Sequence, residues 1–181
     1  MKKLFLFIIY LININLYAQI NTDSLQFVQF FFSNGQISSE GFFKENKPNG
    51  YWKTYYENGQ LKSEGNRLNF ELDGLWRFYS EIGDISLEVH YSSGLKNGKR
   101  ITYTEDSIIE EEFVKDIKEG NTQILYANGK LKQKTLFVNG LEEDISKEFN
   151  EEGLVQTIYN YRKGILLSKQ SINRVNYAGN K

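Results

Sequence analysis

Cysteine is absent from all 181 residues. That excludes disulfides, a lipid-modified N-terminal cysteine and any thiolate metal site. Histidine occurs once, at His90. With no second imidazole and no thiol there is no material for a histidine–cysteine zinc site or a thiol nucleophile. His90 shares a strand face with Ser86 and Glu88, so it reads as a solvent-facing residue rather than a general base. Proline also occurs once, at Pro48, expected in a turn, so β-ladders are expected to run without interruption. Net charge is small, at −1. Without Lys2 and Lys3 the balance is 20 basic against 23 acidic residues, a net −3. Such a chain lacks the dense positive charge that nucleic acid or an anionic lipid surface rewards. Past the N-terminus no segment is apolar enough to cross a bilayer.

The first eighteen residues differ from the rest. Lys2-Lys3 precede an apolar stretch from Leu4 to Leu16, broken by Asn13 and Asn15, and Tyr17-Ala18 precede Gln19. This pattern predicts a cleavable secretory signal over 1–18, cut after Ala18. The apolar stretch is short for a span of ~20 residues. The expected location is periplasmic or secreted, and stability without cysteine must then come from the fold itself.

What the chain has is periodicity. Gly35, Gly59 and Gly83 stand 24 residues apart, as do Gly129 and Gly153, while Gly83 and Gly129 are separated by two repeats less two residues. A second series, Gly50, Gly74, Gly98 and Gly120, follows 15 residues behind, at spacings of 24, 24 and 22. A fixed period of this length marks a repeat architecture. A bulky residue precedes each first glycine by four (Phe31, Tyr55, Tyr79, Leu125, Phe149) and an aliphatic follows by two (Ile37, Leu61, Ile85, Leu131, Val155). Aromatic residues are abundant, with 13 Phe, 12 Tyr and 2 Trp, as suits half-covered strands.

Between turns the period is two. Ile85, Leu87, Val89 and Tyr91 fall on one face, and Ser86, Glu88 and His90 on the other, the signature of a half-buried strand. Asn34-Gly35, Asn58-Gly59, Asn128-Gly129 and Asn139-Gly140 supply hairpin turns, because both residue types accept the positive φ of a tight turn. The short unit around Thr104-Glu105-Asp106 loses two residues, an even number, so Ile109 and Phe113 keep their side of the sheet. The predicted fold is all-β: an elongated, open antiparallel meander of about six stacked β-hairpins, roughly 60 Å across. The predicted division is a signal over 1–18, an N-terminal cap over 19–30, hairpin repeats over 31–164, and a C-terminal cap strand and tail over 165–181.

The string Tyr55-Tyr56-Glu57-Asn58-Gly59-Gln60-Leu61-Lys62-Ser63-Glu64-Gly65, preceded by Gly50-Tyr51-Trp52 and followed by Asp73-Gly74-Leu75-Trp76, strongly resembles the MORN repeat variant, bacterial examples of which carry a YwqK-like antitoxin label. The resemblance covers about Phe31 to Gly164 and weakens where Trp52 and Trp76 give way to Arg100, Thr122 and Ser146. It implies an open hairpin array used for scaffolding or protein interaction, and brings no catalytic residues.

No catalytic, cofactor or metal site is predicted. Glu40, Glu64, Glu88 and Glu110 share one repeat position but sit two strands apart, ~9–10 Å, too far to share a cation. They are expected to face lysines across strands. Glu110-Glu111-Glu112 and Glu142-Glu143-Asp144 lack the spacing of a calcium loop. Trp52, Tyr55, Trp76 and Tyr79 form the candidate interaction surface, an aromatic strip for a sugar chain or a partner's edge strand; the competing reading packs them between repeats. The function expected is a non-enzymatic, exported scaffold for a protein partner, the alternatives being a glycan-binding module or an antitoxin-like neutralising protein.

Overall fold

The structure is a computed structural model in which residues 24–172 are described. The strands are β1 (Gln26–Phe31), β2 (Ile37–Lys44), β3 (Lys47–Tyr55), β4 (Leu61–Leu68), β5 (Glu71–Tyr79), β6 (Ile85–Ser92) and β7 (Leu95–Tyr103). They continue as β8 (Ser107–Val114), β9 (Ile117–Lys118), β10 (Gly120–Tyr126), β11 (Leu131–Val138), β12 (Leu141–Phe149), β13 (Val155–Arg162) and β14 (Ile165–Ser171). Strands pair antiparallel in chain order in one open sheet of 14 strands, except that β8 pairs with both β9 and β10. β9 and β10 are two pieces of one strand position, since both pair with β8. No helix occurs among the described residues. The all-β hairpin meander is thus the observed fold. The predicted cap over 19–30 overlaps β1, which is itself the first strand of the sheet, while the signal segment 1–18 and the tail from 173 lie outside the described residues.

Two kinds of turn alternate along the sheet. On one side each hairpin closes through two residues that both have positive φ: Glu45-Asn46, Asn69-Phe70, Lys115-Asp116, and, with glycine second, Ser93-Gly94, Asn139-Gly140 and Lys163-Gly164. These are type I′ turns, whose twist matches that of the strands. On the other side the loops have three residues, except at Thr104–Ser107, where there are two. In the first, the Gly35 N–H donates to the Phe32 carbonyl at 3.0 Å and the Phe32 N–H to the Gln36 carbonyl at 2.8 Å. The same pair of bonds closes the turns at Tyr56, Ser80, Tyr126 and Asn150.

The expected role of asparagine needs correcting here. Only at Asn139-Gly140 do both residues take positive φ; at Asn34-Gly35, Asn58-Gly59 and Asn128-Gly129 the glycine alone does. There the asparagine side chain accepts a bond from the backbone N–H two residues on, at 3.0 Å from Gln36, 2.9 Å from Gln60 and 3.0 Å from Lys130. Asparagine is useful as an Asx turn, not as a left-handed residue.

The short unit shows why two residues can go. In the preceding hairpin Phe78 pairs with Leu87 and Tyr79 with Ile85, so Ser86 is an extra, bulged residue. In the short hairpin Thr102 pairs with Ile109 and Tyr103 with Ile108, with no shift. One loop residue and one bulge residue are missing together, and Ile109 meets Thr102 just as Leu87 meets Phe78.

Candidate functional site

Alternation along the strands gives the sheet two chemically different faces. The first carries a central row made by Gly41, Trp52, Gly65, Trp76, Val89, Arg100, Glu111, Thr122, Thr135 and Ser146. Register places Gly41 opposite Trp52, Trp52 opposite Gly65, Trp76 opposite Val89, Val89 opposite Arg100, Arg100 opposite Glu111, and Thr122 opposite Thr135. This row holds most of the buried residues. Its chemistry changes along the array, from aromatic through aliphatic and ionic to hydroxyl.

At the aromatic end each indole lies flat on a glycine of the preceding strand. A Cβ on Gly41 would come within 2.5 Å of the Trp52 ring, and one on Gly65 within 2.5 Å of the Trp76 ring. Each indole Nε1–H donates to a backbone carbonyl, that of Phe42 at 3.1 Å and that of Asn66 at 2.7 Å. The Phe43 ring meets Trp52 edge-on at 5.5 Å, and the Arg67 guanidinium lies over Trp76 at 5.3 Å. Trp52 is 7 % exposed and Trp76 is 2 % exposed. Further along, buried Glu111 bonds both Arg100 at 3.0 Å and Lys118 at 2.7 Å. Beyond it, the Thr135 and Ser146 hydroxyls bond each other at 2.6 Å. Where glycine gives way to a residue with a Cβ, no indole can lie flat, and a small hydroxyl pair takes the place of the stack.

The second face carries a charged row. Glu40, Lys53, Glu64, Arg77 and Glu88 stand opposite one another in turn. Arg77 bonds Glu88 at 3.2 Å, and Lys99 bonds Glu110 at 3.1 Å. The carboxylates therefore do face cations across strands. Tyr55 and Tyr79 belong to this face: the Tyr55 hydroxyl donates to Glu40 at 2.6 Å and the Tyr79 hydroxyl to Glu64 at 2.7 Å. Burial, then the hydrogen bond to the carboxylate, pushes each phenol up to about 12. The Glu40 carboxyl is held below its ordinary value, first by the Tyr55 hydroxyl and next by the Gln29 amide.

The four residues of the candidate surface are therefore not one strip. Trp52 and Tyr55 are three positions apart on β3, Trp76 and Tyr79 three apart on β5, and an odd separation sends them to opposite faces. The indoles are covered by the repeats around them, and the phenols are tied to glutamates. His90 is exposed, its Nδ1 3.4 Å from the Lys99 carbonyl.

Sequence reasoning passed over two sets of residues. Gly41 and Gly65, 24 apart and each 11 before a tryptophan, are the floors of the indole stacks; that offset was the available signal. Tyr56 and Tyr126 reach from one turn to the next hairpin, donating to the Tyr79 carbonyl at 2.7 Å and the Phe149 carbonyl at 2.8 Å. On the charged face the alternation ends at Glu88, which stands opposite Ile101, and further along the row Lys134 stands opposite Lys147. Both line an open groove of ≈ 530 Å³ together with Asp144, Ile145 and Phe149.

The MORN repeat variant family model matches residues 28–45, 48–69 and 118–139. These segments fall on β1–β2, β3–β4 and β9–β11. No curated protein matches the chain.

Proposed function

From the premise that this chain is built of MORN repeat variant units, we propose that it is a non-enzymatic scaffold that binds a protein partner, exported to the bacterial envelope or beyond. The observation that carries the reading is the pair of open sheet ends. Among the described residues β1 and β14 each pair on one side only. All seven residues of β14 are exposed, including Ile165, Leu166 and Leu167, and Phe27, Phe30 and Phe31 are exposed on β1. An unpaired strand edge with apolar side chains is a template for strand addition by another chain.

Two measurements test the reading. Immobilised protein incubated with envelope extract is expected to retain a protein partner, and Leu166→Lys with Leu167→Lys is expected to release it. Repeated capture of nothing by the wild-type chain would refute the scaffold. N-terminal sequencing of the chain recovered from its native cell is expected to begin at Gln19, and a chain beginning at Met1 would refute export by cleavage.

A further inference from the structure

The two open ends of the sheet are not alike. β1 reads QFVQFF, with no charge, proline or glycine, and so lacks the residues that usually keep an edge strand from pairing. Its phenylalanines Phe27, Phe30 and Phe31 are all exposed. β14 has two protections. Leu167 is skipped in its pairing with β13, a bulge, and Lys169 carries a charge. Alternation along β1 is unbroken, because the register shift opposite it is taken up by Ser38 of β2.

The Phe32 N–H turns inward to the Gln36 carbonyl at 2.8 Å. Backbone groups of an antiparallel strand point alternately to its two sides. Val28 and Phe30 therefore also turn inward, while Phe27, Gln29 and Phe31 present their N–H and C=O groups to the open side. Those three side chains lie on the charged face, where the Gln29 amide donates to Glu40 at 2.9 Å. Val28 and Phe30 lie on the indole face, where the Phe30 ring is 6.4 Å from that of Phe43. The strand is thus a palindrome about Gln29. One position away on either side stands an apolar residue of one face, and two positions away a phenylalanine of the other.

We propose that β1 is the contact between two copies of this chain, paired antiparallel with its own counterpart about a two-fold axis through Gln29. Phe27 then stands opposite Phe31 of the second copy, Val28 opposite Phe30, and Gln29 opposite Gln29. Each pair shares a face, and the outward backbone groups match. Strand direction leaves no other seamless join. With β9 and β10 counted as one position, the sheet has 13, an odd number, so β1 and β14 run the same way. β14 of one copy beside β1 of the next, same face up, would be a parallel pair, unlike every other pair in the sheet. β14 paired with its counterpart about Lys169 would set two ammonium groups opposite each other. A two-fold contact at β1 uses that edge in both copies, closes at two, and leaves β14 free at each end. The proposal rests on the strand-addition reading above and names the occupant of one of the two ends.

Sedimentation equilibrium of the chain purified from its native cell is expected to show monomer and dimer and no larger species. Gln29→Lys suits the fold, since a cation opposite Glu40 extends the alternation that Lys53 continues. Across the two-fold axis, however, it sets two ammonium groups face to face. It is expected to weaken the dimer at least tenfold with an unchanged circular dichroism spectrum. Because the chain has no cysteine, Gln29→Cys places one thiol in each copy, on Cα atoms ~5.5 Å apart. A short bis-maleimide is expected to join Gln29→Cys into dimers and to leave Lys169→Cys unjoined. A wild-type chain that stays monomeric at every concentration, a dimer unaffected by Gln29→Lys, equal cross-linking at both positions, or open-ended assembly would overturn the proposal. Capture of an envelope partner by a monomer would overturn the dimer and leave the scaffold standing; a dimer that captures nothing would do the reverse.

Discussion

Replacing Gly65 by alanine tests the packing at the heart of the array. The new Cβ would stand 2.5 Å from one ring carbon of Trp76 and 2.6 Å from two others. Carbon atoms prefer ~3.5–4.0 Å, so the indole must retreat by about 1 Å. It has little room, because the Arg67 guanidinium covers the ring at 5.3 Å and Trp76 is almost fully enclosed. Overpacking of this kind costs about 1–3 kcal/mol. Retreat also stretches the 2.7 Å bond from the indole to the Asn66 carbonyl, at about 1 kcal/mol more. The expected loss is therefore about 2–4 kcal/mol. Gly74→Ala is the control. Gly74 has φ +70 and nothing within 4 Å of its would-be Cβ, so it carries backbone strain alone, about 1–2 kcal/mol. Urea unfolding gives the stabilities, and tryptophan emission with quencher access reports the ring. Emission should move to longer wavelength in Gly65→Ala and not in Gly74→Ala. In a Trp76→Ser background the cost of Gly65→Ala should fall by more than about 1 kcal/mol, the sign of direct coupling. A loss below about 0.5 kcal/mol with unchanged emission, or an equal loss in both backgrounds, would refute the stacking argument.

Three other outcomes are expected. Asp144 has φ +64 at the repeat position held elsewhere by Gly50, Gly74, Gly98 and Gly120, so Asp144→Gly should stabilise the chain by about 1 kcal/mol in thermal or urea unfolding; a destabilised variant would contradict this. Ser146→Ala removes the near partner of the Thr135 hydroxyl inside the sheet, leaving it only the 3.4 Å bond from the Gln133 amide, and should cost about 1–3 kcal/mol, whereas Ser146→Ala with Thr135→Val should recover part of it. Tyr55 and Tyr79, held protonated up to about 12, should ionise later than free tyrosine in an ultraviolet pH titration. Because their folded values lie above the unfolded one, their contribution is complete below about pH 10 and lost as pH rises towards 12. Glu40 works in the opposite direction: its lowered value gives a contribution present above the ordinary carboxylate range and lost as acid is added. Ionisation of both phenols near pH 10 would remove the tyrosine–glutamate bonds from the account.

The amino-acid sequence by itself determined the repeat, the hairpin and the parity of the short unit. These are local: a strand needs alternation, a turn needs particular φ values, and both are written within a few consecutive residues. The even deletion around Thr104–Ser107 was legible for the same reason, since losing one loop and one bulge residue together leaves the alternation intact. The tertiary structure alone decided which aromatics belong together. Trp52 and Tyr55 look like neighbours in the chain, yet the pleat sends them to opposite faces, and the indole finds its support on Gly41, eleven residues away on another strand. Likewise the bonded hydroxyls of Thr135 and Ser146 come from different strands and carry no local mark. Local geometry is set by bonded and near-neighbour sterics, but a floor, a lid or a cavity exists only once register has brought distant strands edge to edge.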